Sequence, residues 1–111
     1  MCIVKRHEVI PVMNDTEIKK IIAEYSYLPE TYWGMVRCMC PGNVTRSELI
    51  EGIREITFHR RASTYYDDDT YWLAQSPFDK RWYLFVSGMG SPMPSKVSSI
   101  ESERPRWFDE D

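Results

Sequence analysis

At 111 residues, with 42% apolar residues, four tryptophans and seven tyrosines, the chain has the length of one domain and too many aromatics for wholesale disorder. Its net charge of -3 lies entirely in the last eleven residues, because residues 1–100 hold equal numbers of acidic and basic side chains. A neutral domain lacks the cationic field that supplies most nonspecific nucleic-acid affinity, so nucleic acid is disfavoured as the main partner.

The opening MCIVKRHE places charges where a secretory signal needs a continuous apolar run, and no later stretch is apolar for long enough to span a bilayer. A soluble, intracellular (cytoplasmic) protein is expected. Cys2, Cys38 and Cys40 are odd in number and do not resemble a disulfide framework, which suits a reducing compartment. Residues 7–12 read as a strand, confined to an edge because Pro11 lacks a ladder donor.

Asn14-Asp15-Thr16-Glu17 has the pattern of a helix N-terminus, in which a side-chain oxygen accepts an orphan backbone N–H. Ile18, Ile21, Ile22 and Tyr25 then recur at helical spacing until Leu28-Pro29 ends the helix. Residues 33–40, WGMVRCMC, alternate in a way that suits a strand, with Val36, Cys38 and Cys40 on a small inner side and Trp33, Met35, Arg37 and Met39 on a bulky outer one. A second capping box, Thr45-Arg46-Ser47-Glu48, opens a helix with the stripe Leu49, Ile53 and Ile56, expected to run to about Ala62. Gly52 weakens that helix by about 0.5–1 kcal/mol relative to alanine, which a close packing contact would explain.

Two further strands are expected over residues 70–75 and 81–87, joined by the five-residue turn Ser76-Pro77-Phe78-Asp79-Lys80, with Gln75 opposite Arg81 and Leu73 opposite Tyr83. That register puts Trp72, Ala74, Trp82, Leu84 and Val86 on one face and Tyr71, Leu73, Tyr83 and Phe85 on the other. Residues 1–88 thus read as one α+β domain, a small antiparallel sheet of three to four strands with two amphipathic helices packed on one face. Residues 89–111 read as a flexible Ser/Pro-rich tail ending in the aromatic and acidic segment Trp107-Phe108-Asp109-Glu110-Asp111.

Both sheet faces are apolar, and two helices cover only one. Tyr71, Tyr83 and Phe85 alone offer about 450–600 Å² at roughly 150–200 Å² each, as much as the largest apolar patch of a typical monomer. Either the chain's own termini cover this face or another protein does, a partner or a second copy. Trp33, Met35, Arg37, Tyr71, Tyr83, Phe85, Trp107 and Phe108 are the candidate protein-binding residues, rich in the types enriched at interfaces. Tyr83→Glu or Phe85→Glu should then remove binding and leave the fold native, and a chain cut after Gly90 should still fold. The terminal segment has the composition of a docking peptide and, equally, of a tail tucked into its own domain.

No nucleophile elbow, phosphate-binding glycine loop or His-Glu-x-x-His run is present. Asp67-Asp68-Asp69 follows His59, Arg60 and Arg61; on an extended backbone only Asp67 and Asp69 share a side, too few ligands for a hard cation, and a charge-balanced bend accounts for them. Cys38-Met39-Cys40 lacks the usual zinc spacing. No cofactor or metal is expected, and the leading expectation is a non-catalytic protein-binding domain, an inhibitor, immunity factor or adaptor. Phage and mobile-element antagonists of host defence are commonly chains of this size and mild acidity. Two alternatives are a nucleic-acid-binding accessory domain using Arg54, Arg60, Arg61, Tyr65 and Tyr66, and a small metal-dependent hydrolase built on His59, Asp67 and Asp69.

Overall fold

A computed structural model of the chain describes residues 14–62, 69–88, 93–94 and 96–109. The expected N-terminal strand over residues 7–12 lies outside them. The fold is α+β, with helices α1 (Asp15–Tyr25), α2 (Trp33–Met39) and α3 (Arg46–Glu55) and strands β1 (His59–Ala62), β2 (Thr70–Gln75), β3 (Trp82–Ser87) and β4 (Val97–Glu101). The four strands form one antiparallel meander in the order β1-β2-β3-β4.

Both expected helix starts are present. The Asn14 side chain accepts the Glu17 N–H at 2.8 Å, and Thr45 and Glu48 form a complete capping box. Ile18, Ile21 and Ile22 of α1 and Leu49 and Ile53 of α3 supply the buried stripes. Gly52 has the expected close neighbour: a β-carbon there would lie 2.7 Å from Phe78 Cζ and 3.2 Å from Pro77 Cγ, so the hairpin turn rests on α3 and a larger residue would have to push the Phe78 ring aside.

Residues 33–39 are helix where a strand over 33–40 was expected. Met35, Val36 and Met39 are the buried residues of α2, an i, i+1, i+4 pattern that packs on the same core as α1. A 3-10 turn at Glu30–Tyr32 leads directly into it after the extended Pro29. The short apolar run satisfies periods of 2 and 3.6 alike, and packing against α1 decides between them. The second helix stops at Glu55 rather than near Ala62. Ile56 is already extended, and His59–Ala62 form β1 beside β2. The run Ile56-Thr57-Phe58 favours extended backbone.

The hairpin differs by one residue on β3. Gln75 pairs with Trp82 and Leu73 with Leu84, because the connection holds six residues, closed by Ser76 N–H to Arg81 O at 2.9 Å, with Lys80 at φ 67°. A one-residue slip moves every β3 side chain to the opposite face. Trp72, Ala74, Tyr83 and Phe85 therefore join the helices in the main core, while Leu73 and Leu84 point to the reverse side.

The tail also departs from expectation. Val97–Glu101 pair with β3 as a fourth strand, with a bulge that leaves Ser98 unmatched between Val97 opposite Phe85 and Ser99 opposite Leu84. A second 3-10 turn, Arg106–Asp109, folds back so that Phe108 packs on Leu73 and Leu84. A period of 2 is hard to read in VSSIE, whose serines blur the contrast between the two sides.

Candidate interaction face

The two sides of the sheet are closed unequally. On one, three helices bury Trp72, Ala74, Tyr83 and Phe85 among aliphatic side chains. On the other, β1 contributes His59 and Arg61, β2 Tyr71 and Leu73, and β3 Trp82, Leu84 and Val86, as the register with alternating side chains requires. Phe108, 5% exposed, is the one side chain from outside the sheet buried in this second cluster among the described residues, and Tyr71, Trp82 and Val86 are half-buried around it.

Polar contacts seat the Arg106–Asp109 turn. The Arg61 guanidinium donates to the carbonyl oxygens of Trp107 (3.1 Å) and Phe108, satisfying acceptors that a short turn leaves open. Arg104 grips Asp109 with two parallel bonds, Nε to Oδ2 at 3.0 Å and a terminal nitrogen to Oδ1 at 2.7 Å, while lying 5.4 Å from the centre of the Trp82 ring. The Arg104 bonds hold the Asp109 carboxyl below its ordinary pKa. Trp107 meets Tyr71 edge-on at 5.8 Å and is still 48% exposed.

The eight candidate protein-binding residues therefore separate. Met35, Tyr83, Phe85 and Phe108 are buried within the chain and offer no outer surface. Glutamate in place of Tyr83 or Phe85 would place a carboxylate in the main core, so the expectation of a native fold for those variants is withdrawn. The Tyr83 hydroxyl instead donates to Asp79 Oδ2 at 2.5 Å inside the hairpin, and burial, reinforced by this bond, pushes its pKa up to about 12. Trp33 and Arg37 belong to α2, with Trp33 packed on the helix-side core, and line a groove of about 600 Å³ with Asp15, Gly34, Met93 and Pro94. Lys19 stacks on Trp33 at 5.0 Å, and Arg37 pairs with Asp15. Tyr71 and Trp107 alone among the eight stand together at the surface.

The arginines of the nucleic-acid alternative diverge. Arg54 donates to the Tyr25 carbonyl beside the α1–α3 groove. Arg60 and Arg61 alternate on β1 rather than lying on a helix, Arg60 over the Trp72 ring at 5.9 Å and Arg61 under the C-terminal turn. Tyr65 and Tyr66 lie outside the described residues, as do Asp67 and Asp68. His59 sits on β1 and Asp69 just before β2, and no group of three or more His, Cys, Asp or Glu side chains among the described residues converges to hold a metal. Burial raises the thiol pKa of both Cys38 and Cys40, that of Cys40 to about 12, so the metal-binding thiolate form is disfavoured at neutral pH.

Sequence reasoning missed the roles of Arg61 and Arg104 and the exposed Tyr27 beside the α1–α3 groove. The spacing of Arg104 and Asp109 was a usable signal only with the intervening turn in hand. Among the described residues no helix is long and apolar enough to cross a membrane. No family model, curated protein or solved structure matches this chain.

Proposed function

We propose that this chain is a non-catalytic protein-binding domain that acts by occupying its partner, as an inhibitor, immunity factor or adaptor does, and that it binds through the reverse face of the sheet. The observation that carries the reading is the unequal closure of the sheet. One side is sealed by three helices, and the other is held by Phe108 and polar contacts at the surface, with Tyr71, Trp82 and Val86 half-buried around it. The need for a partner to cover a bare oily face has gone, because Phe108 roofs its centre. Aromatic residues held in place beside arginines remain, the composition in which binding energy concentrates. Ordered side chains also lose little entropy when a partner docks. A nucleic-acid role has less support, since Arg54 and Arg61 are engaged within the chain.

The test compares wild type with Tyr71→Glu and with the control Arg54→Glu, each tagged and recovered from the native host. A protein retained by wild type and the control but lost by Tyr71→Glu, with unchanged circular dichroism, supports the reading. Equal retention by all three sinks it.

A further inference from the structure

Building on the binding face just proposed, we infer that the C-terminal turn is a resident ligand of that face, an autoinhibitory contact, and that the partner segment replacing it is a peptide carrying a bulky aromatic followed by a carboxylate. The chain's own segment shows what the face accepts. Leu73 and Leu84 receive the Phe108 ring, Arg61 donates to two successive main-chain carbonyls, and the Arg104 fork takes the carboxylate of the next residue. Contacts to main-chain carbonyls and to a ring do not depend on which chain supplies them. Arg104 precedes the turn and rests on Trp82, so it stays in place when Arg106–Asp109 lifts and leaves its fork open to a new carboxylate.

Two further features fit an acidic aromatic peptide. A cavity of about 360 Å³ beside Phe108 and Asp109 is lined by His59, Arg60, Arg61 and Arg104, giving room and positive charge for additional acids. The turn is also joined to β4 by the short segment 102–105, in which Arg104 is the residue anchored on Trp82. A short tether holds its ligand at an effective concentration of roughly millimolar, so an outside peptide sees the face only for the fraction of time the turn is away.

The experiment titrates full-length protein with a fluorescent peptide of residues 105–111, PRWFDED. Wild type should bind weakly and Phe108→Ala, whose own turn no longer fills the floor, on the order of tenfold tighter. Asp109→Lys, which opens the carboxylate grip without touching a buried group, should also bind more tightly than wild type, and it decides the matter if Phe108→Ala does not fold. Adding Arg61→Ala to either variant should remove the gain. Peptide binding that is equal in wild type and in the folded variants overturns the inference, as does a wild-type dimer that exchanges the turn between copies and is dissociated by the peptide. Partner loss in Tyr71→Glu together with no peptide gain would leave the binding face standing and remove only the resident-ligand inference.

Discussion

Gly52 on α3 faces Phe78 in the β2–β3 turn so closely that a β-carbon would come within 2.7 Å of the ring. Alanine gains about 1 kcal/mol of helix propensity over glycine, but overpacking typically costs about 1–3 kcal/mol. Gly52→Ala should therefore lower the urea midpoint, whereas in a Phe78→Ala background the same substitution should raise it, because the propensity gain then stands without the ring in the way. A double-mutant cycle reads that coupling, and purely additive effects would show that the turn does not press on the helix.

The roof has a measurable share of the stability. Phe108→Ala should cost about 3 kcal/mol, the low end for a buried phenylalanine because solvent can reach the vacated floor. Trp107→Ala, at a half-exposed position, should cost under about 1 kcal/mol. A chain cut after Gly90 loses β4 as well as the roof, so Val97 no longer covers Phe85, and its thermal transition should broaden or vanish, against the sequence-based expectation. A sharp melt near that of wild type would mean that the last two elements are ornaments on a self-sufficient core.

Acid should loosen both ends of the chain's polar scaffolding. Bonds from Arg104 lower the pKa of Asp109, and the Thr45 N–H and hydroxyl lower that of Glu48. A depressed carboxyl contributes stability that is complete above its unfolded pKa and is lost as the pH falls through its folded one. The melting temperature should accordingly drop below about pH 4.5, the ordinary glutamate value, and Asp109→Asn should flatten part of that drop. Matching profiles for wild type and Asp109→Asn would remove Asp109 from the account.

Alkali acts on the hairpin in the opposite sense. Tyr83 is raised to about 12 by burial and by its bond to Asp79, so the stability it lends is present below the ordinary tyrosine value of 10 and is lost as the pH climbs through 12. An absorbance titration should show a phenol step near 12 for Tyr83, and Asp79→Asn should bring that step down toward 10 without reaching it, since burial persists. A single step near 10 in wild type would contradict the buried hydroxyl.

Thr45→Ala should cost about 1 kcal/mol by opening the capping box of α3, and Thr45→Ser should retain most of it. Chemical denaturation of the two variants separates a lost hydroxyl from a lost methyl group.

The features legible in the sequence were those that local chemistry decides. Asn14 and Thr45 announce helix starts because capping needs only residues three apart, and the close neighbour of Gly52 followed from its cost in a helix. The misreadings arose where distant contacts decide. Residues 33–40 fit two periods until α1 selects one, and the hairpin register turned on Lys80, a residue type that rarely adopts positive φ. That single extra loop residue exchanged the inner and outer sets of β3, so Tyr83 and Phe85 left the candidate site and Leu84 entered the reverse face. Arg61 was misplaced for a related reason: the helix stops at Glu55, and only the pairing with Tyr71 reveals which way its side chain points.

The bulge at Ser98 bears on how these molecules treat one another in a crowded solution. A flat, unguarded outer strand invites a neighbour to add its own backbone and begin a fibre. Among the described residues one border of the sheet carries Arg60 and Arg61, whose charges repel a like copy, and the other is kinked at Ser98, which spoils the straight ladder a newcomer needs. Deleting Ser98, which straightens that border, should make the chain gel or bind amyloid dyes on standing more readily than wild type.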